Sequence, residues 1–166
     1  MDRRYFQMFA RYNRWANARL YAAAGKLPAE EYLKQRPAFF KSIHGTLNHL
    51  LVADRIWLGR ILDGQAPPLK LDQILYGDFI ALEVARRAED QRFVHAIESM
   101  APERFRTSFE YRNTRGERFV QPMWQVLAHV FNHQTHHRGQ VHDQLSQTAV
   151  EPPELDLIYF LREGPA

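Results

Sequence analysis

The chain has 166 residues, a formal net charge of +3, 45% hydrophobic and 25% charged residues, and no cysteine. That size and balance fit one globular domain spanning residues 1–166, and the missing cysteines exclude disulfides, thiolate metal sites and a cysteine nucleophile. The arginines are scattered without a run of five like charges, so no nucleic-acid partner is expected. The N-terminal stretch MDRRYFQMFARYNRWANARL carries charge throughout and lacks the apolar segment of a secretory signal. No apolar run approaches the ~18 residues of a membrane helix. A cytoplasmic protein with no membrane partner is the expectation.

In chain order, the first helix is expected from about Arg4 to Gly25, where Phe6, Phe9, Ala10, Trp15, Ala16, Leu20 and Ala23 recur at helical spacing. One short turn is expected at Ala29 to Leu33, before Pro37. Ser42 offers an N-cap for a second helix reaching about Leu62, with Ile43, Leu47, Leu50, Trp57, Leu58 and Ile61 as its apolar stripe. The stretch DGQAPP ends it. A third helix is expected from Phe79 to Met100. Residues Thr107 to Val120 instead alternate around Asn113-Thr114-Arg115-Gly116, a hairpin pattern. Pro122 suits the opening of a fourth helix running to about Gln147, and Leu155 to Arg162 form a last short one. The fold class is all-α: a four-helix bundle with a short hairpin-like insertion before the fourth helix.

Four of the eight histidines fall between residues 129 and 137. His129, His133 and His137 stand four apart, so each successive pair projects from one helix face. On a 100° wheel His137 falls inside the apolar stripe of Met123, Leu127, Val130, Val141 and Leu145, with His133 at its edge. A metal in the bundle core therefore prefers His133 and His137, with His129 as second choice. The third ligand must come from a facing helix. His44 and His49 flank the second helix's stripe on opposite sides, and the wheel does not choose between them; His95 is a weaker candidate. The bland alternative is that such histidines are surface or satisfied core residues; His129, His136 and His142 are read as surface residues or as groups that support the ligands from outside. No His-Glu-x-x-His, Glu-x-x-His, GxxxxGK[ST], GxGxxG or Gly-x-Ser-x-Gly occurs, so zinc-protease, di-iron, nucleotide and serine-hydrolase chemistry have no visible machinery.

The segments YNRWANARL, FFKSIHGTLNHLLVADRIWL and LAHVFNHQTHHRGQVHDQL together resemble the DinB family of DinB/YfiT-like metal-binding bundles, along nearly the whole chain. The resemblance implies a bundle with non-sequential topology, often homodimeric, and a three-histidine site for one divalent ion such as zinc or nickel. Carried onto this sequence, the three are His49, His133 and His137. It further implies a metal-dependent transferase activating a small thiol toward an electrophile, or a hydrolase activating water. The contrasting expectation is a stress-related metal- or partner-binding module without turnover. Asp54 is read either as a polar group near the site or as a surface charge paired with an arginine. Arg138 is read as a guide for an anionic substrate or as a solvated or interface arginine. Tyr12 and Trp15 are read as core or pocket wall.

Overall fold

The computed structural model describes residues 3–164. Six α-helices are found among them: α1 (Arg3–Ala24), α2 (Ala29–Leu33), α3 (Ile43–Leu58), α4 (Phe79–Ser99), α5 (Met123–Ser146) and α6 (Leu157–Glu163). An antiparallel hairpin, β1 (Ser108–Arg112) and β2 (Arg118–Pro122), precedes α5, with Ser108 opposite Pro122 and Glu110 opposite Val120. None of these helices is long and apolar enough to cross a membrane.

Local chemistry sets the boundaries. The Ser42 hydroxyl accepts from the Gly45 amide at 3.0 Å, and Asp78 accepts from Ala81 at 2.9 Å. Each cap contributes about 1 kcal/mol by satisfying an orphan helix donor. Instead of continuing as α-helix to Leu62, α3 widens into a π-helical turn over Gly59–Asp63 and stops at Gly64, which takes the left-handed φ of 74°. A Cβ on Gly59 would lie 2.8 Å from the Gln65 carbonyl, so the returning chain requires glycine there. Pro122 does not begin the fourth helix: it closes β2 and stands just outside α5. In the hairpin turn the Asn113 side chain accepts from the Arg115 and Glu117 amides, and Gly116 supplies a φ of 83°.

The bundle is not built from consecutive neighbours. Helix α1 packs on α4 and α5, and α3 packs on α5 and α4, which sets α1 diagonal to α3 and α4 diagonal to α5. Long connections, residues 25–42 and the hairpin segment 100–122, make those diagonal crossings feasible.

Two large apolar clusters, and a small one of Tyr12, Ala16 and Phe160, fill the interior. One large cluster gathers Phe6, Leu58, Phe93, Phe105, Leu127 and Phe131, and the other gathers Leu20, Ile43, Leu47, Leu51, Leu82 and Leu145. Between them each helix contributes buried polar groups: Asn13 and Asn17 from α1, Asp54 from α3, Arg86 and Asp90 from α4, Gln134 and Arg138 from α5. Buried charge of this kind is tolerated only when paired. Arg86 meets Asp54 at 2.8 Å and Asp90 at 3.0 Å, while Gln134 donates to Asp54 and Asn17 donates to Asp90 at 2.9 Å.

Candidate metal centre

His49 sits on the face of α3 that looks at α5, where His133 and His137 lie one turn apart with ring centroids at 4.3 Å. The His49 ring is 4.5 Å from that of His137, and its Nε2 is 3.3 Å from the Nε2 of His133. One nitrogen from each of the three lies within 4.8 Å of the others, close enough to hold one ion. No carboxylate belongs to the group.

Hydrogen bonding outside the cluster fixes which nitrogens face inward. His49 Nδ1 is 2.7 Å from the Leu71 carbonyl, which can only accept, so Nδ1 carries the proton and Nε2 keeps a lone pair. His137 Nδ1 is 2.7 Å from Gln140 Oε1, and the Gln140 amide nitrogen is engaged by His136 Nε2 at 3.2 Å, which fixes the amide orientation. Thus His137 also turns a bare Nε2 away from its donor side. Two nitrogens each ~2.05 Å from a tetrahedral ion stand ~3.3 Å apart, matching the His49–His133 pair. The donor set therefore fits a divalent ion, and Leu71 and Gln140 would orient its ligands.

Electrostatics keeps the triad neutral. Burial, reinforced by His137 and His49, pushes the His133 pKa down to about 3. Burial also lowers His137 to about 4, opposed by the Gln140 hydrogen bond, and lowers His49 against the Leu71 hydrogen bond. Neutral imidazoles are the form that ligates metal. Phe40 stacks on His49 with centroids at 3.8 Å and a 17° interplanar angle, and it meets His137 edge-on. An open groove of about 490 Å³ is lined by Phe39, His136 and Gln140, the last two of which contact His137 from outside the triad.

The other histidines separate cleanly. His44 is buried away from the triad, 3.0 Å from the Tyr32 hydroxyl. His95 is exposed on α4. His129 is exposed one turn from His133, with ring centroids at 5.9 Å, and lies edge-on to Trp57 at 5.3 Å. Burial, and after it the Arg60 charge, lowers its pKa.

The readings of two charged residues need correction. Asp54 does pair with an arginine, but in the interior rather than on the surface: it is 1% exposed, outside the ligand group, and held by Arg86 and Gln134. Arg138 is neither a substrate guide nor solvated. It is 2% exposed and points to the other side of α5, donating to Asn13 with its guanidinium over the Tyr12 ring. Tyr12 is core, its hydroxyl donating to the Leu155 carbonyl at 2.7 Å; Trp15 is part-exposed and donates to Glu163 at 2.7 Å. Phe40, the Leu71 carbonyl and Gln140 escaped sequence reasoning. Only Gln140 left a signal, its i+3 spacing from His137.

The chain is similar to known proteins along most of its length. A sequence model of the DinB family matches residues 1–164. Protein DinB of Bacillus subtilis (strain 168) is 25% identical over 159 residues, covering 90% of this chain and 91% of that protein. The crystal structure of a DinB-like protein from Bacillus cereus ATCC 10987 superposes with a TM-score of 0.65 at 18% identity, covering 84% of this chain and 90% of that one. That of the DinB-like protein YjoA from Bacillus subtilis gives 0.61 at 17% identity, covering 90% and 97%. With the family match spanning almost the full length and the same fold in solved relatives, the chain belongs to the DinB family.

Proposed function

We propose that the protein is a metal-dependent transferase that activates a small thiol, with His49, His133 and His137 as ligands to one zinc or nickel ion. The observation that carries this reading is the convergence of three neutral imidazoles, two of which, His49 and His137, have their outward nitrogens already engaged, without any carboxylate in the group. An ion held there would act as a Lewis acid, ionising a thiol or, with more difficulty, water.

The chain's own residues support the thiol over water. Asp54 is locked to Arg86 and Gln134, so it is not available as a base. A thiol ionises on a metal without a protein base, whereas hydrolysis gains from one. Leu71 and Gln140 hold the imidazoles in one tautomer. Phe40 excludes water from one face of His49, while the part-exposed His133 leaves an approach. The groove beside Gln140 and Phe39 is the place for an electrophilic partner. A thiol cosubstrate fits a cytoplasmic, reducing setting and the chain's own lack of cysteine.

The test is metal analysis of protein purified without nickel resin, followed by turnover assays with glutathione, bacillithiol and mycothiol against electrophilic acceptors. The expected result is one equivalent of metal and thiol-dependent loss of acceptor. Stoichiometric metal with no turnover would favour a non-catalytic metal-binding module, a reading supported by the Phe40 cover over His49.

A further inference from the structure

Four arginines are buried among the described residues: Arg36, Arg60, Arg86 and Arg138. Three meet an oxygen that answers their charge or their hydrogen bonds. Arg36 pairs with Glu31 at 2.8 Å, Arg86 with Asp54 at 2.8 Å, and Arg138 donates to Asn13. Arg60 does not. It is 5% exposed, and its Nε is buried without a hydrogen-bond partner. The carboxylates close to it and to Tyr111 in sequence pair with other arginines, Asp63 with Arg92 at 3.6 Å and Glu110 with Arg118 at 2.6 Å. What Arg60 has is aromatic faces: its Cζ lies 4.5 Å from the Trp57 centroid and 5.4 Å from that of Tyr111. Such contacts hold a guanidinium in place while leaving its N–H fork free for a planar oxyanion.

Two further observations point to a ligand. Arg60 lies in the π-helical turn Gly59–Asp63, an irregularity often found at functional sites. From there a strip of rings, His129 exposed and the others part-exposed, leads back to the triad: Tyr111 to Trp57 at 5.1 Å, Trp57 to His129 at 5.3 Å, His129 to His133 at 5.9 Å. The eight-residue rise from His49 to Trp57 sets the length of that strip at about 12 Å.

We infer that Arg60 binds the carboxylate of an extended, tripeptide-sized molecule that lies along the Trp57–His129 strip with its other end at the histidine triad. That the other end is a thiol rests on the proposed function; the carboxylate contact does not.

The experiment separates the two. S-methylglutathione, which has no free thiol, is titrated into the full-length metal-free protein by calorimetry and by tryptophan fluorescence, alongside its diethyl ester. The wild type should bind the acid at least about tenfold more tightly than the ester, as expected for loss of charge-assisted hydrogen bonds. Arg60→Met should lose that preference, and Arg60→Lys should keep part of it. Should Arg60→Met fold poorly, the acid–ester comparison in wild type and Arg60→Lys decides. Equal binding of acid and ester, an Arg60→Met variant that keeps the preference, or no saturable binding at millimolar concentration overturns the inference. Arg60-dependent binding without turnover of any thiol by the metal-loaded protein leaves the carboxylate site standing and removes the thiol reading.

Discussion

Two polar clusters sit inside the same bundle, the histidines on α3 and α5 and the ion-pair cluster spread over α1, α3, α4 and α5, and they differ in how their polar groups are paired. In the Asp54–Arg86–Asp90 cluster the carboxylates face a guanidinium and receive amide hydrogen bonds from Gln134 and Asn17. In the histidine cluster the hydrogen bonds to Leu71 and Gln140 point outward, and the inward nitrogens of His49 and His137 are left as bare lone pairs. Their sequence positions interleave: His49 and Asp54 on α3, His133, Gln134, His137 and Arg138 on α5. Polar burial by itself therefore does not mark function. Buried groups paired with an opposite charge hold the bundle together, and buried groups turned toward a common gap are available to a ligand.

Substitutions break this contrast in opposite ways. His137→Ala should abolish stoichiometric metal binding, measured by elemental analysis after dialysis, because two imidazoles from different helices hold a divalent ion poorly. The metal-free variant should unfold within about 1 kcal/mol of the metal-free parent, since His137 lies at the edge of the core and donates only to Gln140. Arg86→Met should do the reverse. Removing one partner strands Asp54 and Asp90 in the interior and should destabilise the protein by about 3–5 kcal/mol in urea denaturation. A change under about 1 kcal/mol would show that the cluster does not hold the bundle together.

Much of this contrast was readable before any coordinates. The helical wheel singled out His133 and His137 because an i, i+4 pair with one member inside the apolar stripe and the other at its edge faces the bundle interior. It did not separate His44 from His49, since both border the α3 stripe. In the fold His44 turns to Tyr32 of α2, a partner supplied by the loop-borne segment rather than by the bundle. The hairpin was legible because Asn113 and Gly116 carry specific turn chemistry. The burial of Asp54 and Arg138 was not, because a charged residue on a wheel gives no sign of an opposite charge waiting on another helix. Arg86 and Asp90 share one face of α4 at i, i+4 spacing, a pattern that also describes an exposed ion pair.

The ion-pair cluster should also respond to pH in a way the triad does not. Burial pushes the Asp90 carboxyl up to about 6 despite Arg86 and the Asn17 hydrogen bond. Between the ordinary unfolded value of ~3.9 and about 6, the folded state keeps a proton on Asp90 that the unfolded chain has lost. The folded form then binds more protons, so this group's contribution is present at low pH and fades as pH rises through 6. Subtracting the stability of Asp90→Asn from that of the parent isolates it. The difference should shift in the parent's favour by on the order of 2 kcal/mol between pH 7 and pH 4. A pH-independent difference would mean that Asp90 titrates as an ordinary carboxylate.

The subtlest test lies just outside the triad. Gln140 touches no inward-facing nitrogen, yet it fixes the His137 tautomer through a 2.7 Å hydrogen bond and is itself fixed by His136. In Gln140→Leu the His137 proton is free to move to the nitrogen that should carry the lone pair, and binding must then reverse that shift. Zinc affinity, measured by competition with a chromophoric chelator, should fall about tenfold. The thermal stability of the metal-free protein should stay near that of the parent, because Gln140 is only half-buried. Unchanged affinity would mean that Phe40 packing alone orients His137; an equal loss in His136→Ala would show that the orienting contact extends one residue further along the same helix face.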